Sequence, residues 1–133
     1  MIRQMHEEPP SSRTILLVED DDLTLKSLSM VITSLGHTVV PASCAEEALE
    51  AAHEQHIHLL MTDFHLPGIN GVDLATQLRK EGHRVPVILI SGYLNDSVQE
   101  KARSARINVM LPKPPDLKTL EHTLTHLLHE AHA

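Results

Sequence analysis

Short, mainly apolar runs recur along the chain and are separated by longer amphipathic segments. The runs cover residues 15–18, 39–40, 57–61, 87–90 and 109–111. None of them alternates regularly between apolar and polar positions, as a half-exposed antiparallel strand would. The pattern therefore predicts five strands that are buried on both faces of a parallel sheet.

The segments between the runs carry apolar residues at helical spacing, which predicts one helix after each strand. Start and stop signals accompany these helices. The apolar faces are Leu25, Leu28, Ile32 and Leu35; Ala48, Leu49 and Ala52; Leu74, Ala75 and Leu78; Val98, Ala102 and Ala105, which is weaker; and Leu117, Leu120, Leu124 and Leu127. The signals are Asp22 as a cap and Gly36 as a stop, a Ser43–Glu46 capping box, Asn70 as a cap and Gly82 as a stop, and Pro114-Pro115-Asp116 before the fifth helix.

Five strand–helix units in one chain predict an α/β architecture. Right-handed crossovers place the strands in a single doubly wound parallel sheet with helices on both faces. A length of 133 residues suits one domain, which we expect over residues 14–130 after a flexible polar leader at 1–13. We expect no output domain after the fifth helix.

The composition argues against several classes of protein, among them nucleic-acid-binding, disulfide-bonded and membrane-spanning proteins. Eighteen acidic residues against eleven Lys and Arg give a net charge of −7, which disfavours a nucleic-acid surface. A single cysteine, Cys44, excludes an internal disulfide and suits a reducing compartment. No apolar run approaches the roughly 18 residues that span a bilayer, and the leader lacks the apolar segment of a signal peptide. We therefore expect a cytoplasmic protein without a direct membrane or nucleic-acid partner.

Polar residues follow four of the five apolar runs. In a doubly wound sheet, functional sites lie beyond the carboxyl ends of the strands. The polar groups there are Glu19 and Asp20 after the first run, Asp63 and His65 after the third, Ser91 and Tyr93 after the fourth, and Lys113 after the fifth.

Four short motifs at these strand ends resemble the response-regulator receiver domain of two-component signalling. They are LVEDD at 17–21, MTD at 61–63 with LPG at 66–68 and Gly71 behind it, ISG at 90–92, and LPKP at 111–114. The resemblance covers about residues 14–130 and implies a flavodoxin-like sheet of strand order 2-1-3-4-5. That order places the first and third strands side by side, and with them Glu19, Asp20 and Asp63.

The resemblance also implies a Mg²⁺ site. Asp20 and Asp63 would be direct ligands, and Glu19 would act through water. The backbone carbonyl of His65 would complete the protein's share of the ligands. Three crowded carboxylates repel one another unless a cation joins them, and Mg²⁺ prefers a few carboxylates with other positions kept for water and phosphoryl oxygens.

By the same resemblance, Asp63 would accept a phosphoryl group from a histidine kinase or a histidine phosphotransfer protein. A carboxylate can attack phosphorus and form an acyl phosphate. Lys113 and the Ser91 hydroxyl would contact the phosphoryl oxygens as charge develops on them. Such a protein would catalyse only its own phosphorylation and dephosphorylation.

The switch that follows phosphorylation is expected to involve Ser91. In the family the strand-four hydroxyl moves inward, and an aromatic residue three positions before the lysine follows it; here that position is Met110, which favours a core role. Tyr93 supplies the moving aromatic instead, or the relay differs. We also hypothesise that His65 and Tyr93 flank the acyl phosphate and control the access of water.

The switched surface would consist of the fourth helix, fifth strand and fifth helix. It would bind an acidic patch of a downstream protein or support self-association. The basic residues expected on it are Lys101, Arg103, Arg106 and Lys118.

Three alternatives compete with this interpretation. An Asp-nucleophile phosphatase of the haloacid-dehalogenase kind needs an acid two residues after the nucleophile, where this chain has His65, and it needs an inserted cap. An interaction module that is not phosphorylated would be expected to lack the acids or the lysine. Histidines at 122, 126, 129 and 132 follow helical spacing, but no acid or cysteine is arranged to complete a zinc or nickel site, which favours a solvated helix face.

Overall fold

The computed structural model describes residues 13–92 and 94–132, with side chains as far as His129. Most of the leader and Tyr93 therefore lie outside the described residues. Strands and helices alternate without exception along the described chain. In order they are β1 (Thr14–Val18), α1 (Asp22–Ser34), β2 (Thr38–Ala42), α2 (Ala45–Glu54), β3 (Leu59–Asp63), α3 (Gly71–Lys80), β4 (Val87–Ser91), α4 (Asp96–Ser104), β5 (Val109–Pro112) and α5 (Leu117–His132).

All five strands are parallel, and their order is β2-β1-β3-β4-β5, which confirms the expected topology. The register aligns the carboxyl ends of the strands at one edge. Val18 pairs with Thr62, Asp63 pairs with Ile90, and Ser91 pairs with Pro112. Residues that follow different strands are thereby brought to the same place, which is where the polar motifs of the sequence lie.

Alternate residues of each strand enter hydrophobic clusters on opposite faces of the sheet. In β1, Ile15 and Leu17 pack with α1 and α5, whereas Leu16 and Val18 pack with α2 and α3. A third cluster joins β4 to α4. Because both faces of the inner strands are covered, consecutive strand positions are apolar along most of each strand, which explains the continuous apolar runs.

All five strands extend past their apolar runs at one end or at both ends, and the differences at β3 and β4 concern the polar motifs. β3 begins at Leu59 and ends at Asp63, two residues later than expected, and β4 includes Ser91. Hydrogen-bonded pairing with the neighbouring strands continues past the last apolar residue, because the ladder depends on backbone groups. The consequence is functional, since Asp63 and Ser91 lie on the ends of strands rather than in loops.

Two predicted helix caps are wrong by one residue. Asp21, not Asp22, caps α1, and its carboxylate accepts a hydrogen bond from the Thr24 backbone at 2.9 Å. At α2 the predicted Ser43–Glu46 box is replaced by Glu47, which accepts from the Ser43 backbone N–H at 2.7 Å. Both differences arise because cap geometry depends on the residue at which the helix begins. The stops at Gly36 and Gly82 and the Asn70 cap are confirmed.

Arg13, the last residue of the expected leader, takes part in the fold. Its backbone N–H donates to Nδ1 of His37 at 3.2 Å, and its carbonyl accepts from the Thr38 backbone at 2.9 Å.

Among the helices of the described residues, none has the length and apolar character needed to cross a membrane.

Candidate functional site

Three carboxylates converge at the carboxyl edge of the sheet. Glu19 directly follows β1, and Asp63 is the last residue of β3. One carboxylate oxygen from each of Glu19, Asp20 and Asp63 lies within 4.8 Å of the others. Glu19 and Asp63 are 2% and 6% exposed, while Asp20 is exposed. The cluster therefore has a buried base and one side open to solvent.

Lys113 bridges the two buried carboxylates from the end of β5. Its Nζ donates to Oε1 of Glu19 at 2.8 Å and to Oδ2 of Asp63 at 2.9 Å. The backbone of Lys113 is fixed in turn, because its N–H donates to the Ser91 carbonyl at 3.0 Å. The lysine thus joins residues that are 94 and 50 positions away in sequence.

Backbone N–H groups hold the second oxygen of each buried carboxylate. The N–H of Asp21 donates to Oε2 of Glu19 at 3.0 Å, and that of His65 donates to Oδ1 of Asp63 at 3.3 Å. In each carboxylate, therefore, one oxygen accepts a hydrogen bond from Lys113 and the other accepts one from the backbone that follows its own strand. The long 3.3 Å contact leaves Oδ1 of Asp63 the more weakly held oxygen.

Burial and charge change the proton affinities in this site. Burial raises the pKa of Glu19, with the Asp63 charge acting in the same direction, and together they outweigh the hydrogen bonds from Lys113 and Asp21. Burial alone would lower the pKa of Lys113, but its hydrogen bonds to the two carboxylates, and their charges, raise it. The lysine therefore stays protonated and supplies a fixed positive charge beside Asp63.

The donor set fits Mg²⁺. All the side-chain donors are carboxylate oxygens, the ligands that hard dications prefer, and the open side at Asp20 leaves room for water and phosphoryl oxygens. Lys113 neutralises part of the negative charge without closing that side. The part assigned to the His65 carbonyl stays a prediction.

Gly71, at the start of α3, packs directly behind Asp63. Its N–H donates to the Phe64 carbonyl at 2.8 Å, and a Cβ at this position would collide with the carbonyl oxygen of Asp63. The sequence motif includes this glycine, but the sequence does not predict that it packs against the backbone of Asp63. The LPG motif followed closely by a glycine indicates a tight loop there and nothing more specific.

Two of the expected switch residues, Ser91 and Met110, lie on the neighbouring strands β4 and β5. Ser91 is fully buried at the end of β4. Met110 is half-buried and packs against the cluster that contains Phe64, Leu89 and Val98, which agrees with a core role. Tyr93 is outside the described residues, so its predicted role stays a prediction. The four basic residues expected near α4 and α5 are all exposed: Lys101, Arg103, Arg106 and Lys118.

A second group of side chains that could hold a metal ion was not predicted from the sequence. His53, Glu81 and His83 come together at the ends of α2 and α3. Nothing in the local sequence signals this group, because His53 and Glu81 are 28 positions apart. Of the helical row of histidines, His122, His126 and His129 lie on an exposed side of α5, as expected of a solvated face, and the side chain of His132 lies outside the described residues.

Comparison with known proteins agrees with this geometry. The chain is 26% identical to a cyclic di-GMP phosphodiesterase of Thermotoga maritima over 115 residues, 86% of this chain and 31% of that protein. It is 34% identical to the two-component response regulator PhoP of Pseudomonas aeruginosa over 119 residues, 88% of this chain and 52% of that protein. The chain thus spans about a third and about half of the lengths of these relatives.

Solved structures give the same result. The signal receiver domain of an HD domain-containing protein from Pseudomonas fluorescens superposes with a TM-score of 0.87 at 26% identity, covering 91% of this chain and 98% of that one. The family model described as the response regulator receiver domain matches residues 15–125. With its strand order and its acidic strand ends, the chain therefore belongs to the response regulator receiver domain family.

Proposed function

We propose that this receiver domain accepts a phosphoryl group on Asp63 from a phosphohistidine of a histidine kinase or phosphotransfer protein. The observation that carries the proposal is the Lys113 ammonium 2.9 Å from Asp63, at the base of an open acidic cluster. An oxygen of Asp63 forms the new O–P bond, the P–N bond breaks, and the donor imidazole leaves with the electron pair and takes up a proton. The product is an acyl phosphate.

The residues around Asp63 prepare it for this step. Lys113 holds Oδ2, whereas Oδ1 accepts only the long hydrogen bond from the His65 backbone among the described residues, so Oδ1 is the oxygen more available to attack phosphorus. Lys113 then offers its protons to the incoming phosphoryl oxygens, and the Ser91 hydroxyl provides a further donor. Mg²⁺, held by Asp20 and Asp63 with Glu19 acting through water and the His65 carbonyl, would supply positive charge to the phosphoryl oxygens.

Transmission of the signal is proposed to start at Ser91. Ser91 is fully buried and lies two residues after Leu89, on the same face of β4. Because Leu89 belongs to the cluster against which Met110 packs, movement of the Ser91 hydroxyl toward a phosphoryl oxygen would alter packing near Met110. Tyr93 is the candidate aromatic of the relay. The basic residues of the α4–β5–α5 surface would then meet an acidic partner patch or a second copy of the chain.

We place the reaction in the cytoplasm, where a half-buried Cys44 would stay reduced.

The proposal is tested by intact-mass measurement after incubation with Mg²⁺ and a small acyl-phosphate donor. We expect one added phosphoryl group per chain, none in Asp63→Asn, and none when a chelator removes the metal. Asp73→Asn, which changes an exposed acid on α3, is the matched control and should be labelled like the wild type. No addition would favour an interaction module, and turnover of a phosphate ester would favour a phosphatase.

His65 is expected to affect the lifetime of the acyl phosphate. Its side chain is exposed two residues after the nucleophile, and its ring packs edge-on against Phe64 with centroids 4.9 Å apart. His65→Ala should change the rate of phosphoryl loss several-fold by changing the access of water, and Tyr93→Ala should act similarly. The rate is measured from the decay of the phosphorylated mass after donor removal. Unchanged lifetimes in both variants would contradict the shielding hypothesis.

A further inference from the structure

A second cluster of titratable side chains lies at the edge of the sheet opposite Asp63. His53 belongs to the last turn of α2, and Glu81 and His83 directly follow α3. Both helices run antiparallel to the strands, so their C-terminal ends meet at the amino edge of the sheet. The cluster is therefore remote from the phosphoacceptor site, and what it binds does not depend on the proposed function.

The potential ligand atoms of the three side chains already lie close together. Nε2 of His53 is 2.7 Å from Oε1 of Glu81, and the His53 and His83 rings stack at a centroid distance of 6.3 Å with an interplanar angle of 24°. One ligand atom from each of the three residues lies within 4.8 Å of the other two. Small side-chain rotations would bring all three to about 2 Å from one ion, the usual Zn–N and Zn–O distance.

The backbone at Glu81 and His83 is fixed by the end of α3. Gly82 adopts a φ of 94°, and the N–H of His83 donates to the Leu78 carbonyl at 3.0 Å, which together close the helix with a Schellman turn. The two ligands on this element therefore keep a constant separation, as a metal site needs.

An outer partner orients the carboxylate. Nε2 of Gln77 donates to Oε2 of Glu81 at 2.9 Å, which leaves Oε1 facing the imidazoles. Such second contacts to a ligand are a regular feature of protein metal sites.

The surroundings favour a cation. The C-terminal ends of two helices direct their carbonyl groups toward this edge, and positive charge is stabilised there. His53 and His83 line a cavity of about 530 Å³, in which the charge of Glu54 favours a cation and that of Arg84 opposes one. His53 is exposed and His83 half-buried, so an ion could enter directly from solvent.

We propose that His53, Glu81 and His83 form a binding site for a divalent late transition metal, with zinc as the best-fitting ion. Two imidazoles and one carboxylate match zinc far better than Mg²⁺, which avoids nitrogen ligands. Three protein ligands leave a fourth tetrahedral position for water or for a side chain of another molecule. The alternative without a metal is that His53 and Glu81 form only a surface ion pair.

The test is calorimetric titration of Zn²⁺ into the full chain, with excess Mg²⁺ present to occupy the acidic site. One Zn²⁺ per chain is expected. The double variant His53→Asn/His83→Asn should weaken binding by at least about 100-fold, and Gln77→Ala by about 10-fold through the loss of its outer contact. Asp63→Asn should bind zinc normally, which separates this proposal from the phosphoacceptor proposal.

His122→Asn is the matched control, since it removes an exposed histidine from α5 on the other face of the sheet. Its zinc affinity should equal that of the wild type. Co²⁺ offers an independent signature, because a tetrahedral site of nitrogen and oxygen ligands gives strong visible absorption that the double variant should lose. Absence of saturable zinc binding, or equal binding by the double variant and the wild type, would overturn the assignment.

Discussion

Lys113→Met is expected to slow phosphorylation of Asp63 by a small acyl-phosphate donor by at least about 100-fold. The lysine is within hydrogen-bond distance of Asp63, and loss of one donor to a developing oxyanion typically costs 10²–10³ in rate. Methionine keeps most of the alkyl stem, so packing changes little. The initial rate of mass increase with Mg²⁺ in excess measures the effect.

The same substitution is expected to tighten Mg²⁺ binding about tenfold. The ammonium of Lys113 now pairs with Glu19 and Asp63, and its charge opposes a dication at the same carboxylates. Titration calorimetry with Mg²⁺ measures this effect. Slower phosphorylation together with tighter metal binding separates the loss of a specific donor from general damage to the site.

Lys118→Met is the control for both measurements, because Lys118 is an exposed lysine at the start of α5. It should leave the rate and the metal affinity unchanged. A wild-type phosphorylation rate in Lys113→Met would mean that the lysine makes no contact with the reacting group.

Gly71→Ala is expected to lower the free energy of unfolding by about 2–3 kcal/mol. Alanine normally favours a helix over glycine by about 0.5–1 kcal/mol, so helix propensity alone predicts the opposite sign. Here the added methyl group would collide with the Asp63 carbonyl oxygen, and both the strand end and the helix start would have to move. Urea unfolding followed by circular dichroism measures the change.

Gly92→Ala provides the contrast, because a Cβ there has no atom within 4 Å outside the neighbouring residues. Its stability should stay within about 0.5 kcal/mol of the wild type. Equal stability of the two alanine variants would contradict the close packing of α3 behind Asp63. We also expect slower phosphorylation in Gly71→Ala, since the shift displaces the nucleophile.

Local patterns in the sequence determine much of this fold, while the arrangement of the strands depends on more than pattern. Apolar runs identified all five strands because both faces of the sheet are buried, and glycines at 36 and 82 marked helix ends because each adopts a positive φ. The strand order followed only from the family resemblance. Periodicity predicts which residues are buried but does not state which strands are neighbours.

The candidate site was predictable as a set of residues but not as a geometry. The resemblance identified Glu19, Asp63 and Lys113, yet the bridging of both carboxylates by one ammonium depends on contacts across the whole sheet. Polar residues at the ends of β3 and β4 escaped the strand assignment, because pairing continues where hydrophobicity stops. The proximity of His53 and His83 could not be predicted from the sequence either, because only the tertiary packing of α2 against α3 brings them together.

The most direct test of the central claim is to identify the phosphorylated residue. Borohydride reduction of the phosphorylated chain converts an aspartyl phosphate to homoserine, which peptide mass mapping locates. We predict homoserine at position 63 and unchanged aspartate at positions 20 and 21, with no conversion when the donor is omitted. Homoserine at another position, or a phosphoryl group found on a histidine, would contradict the assignment of Asp63 as the phosphoacceptor.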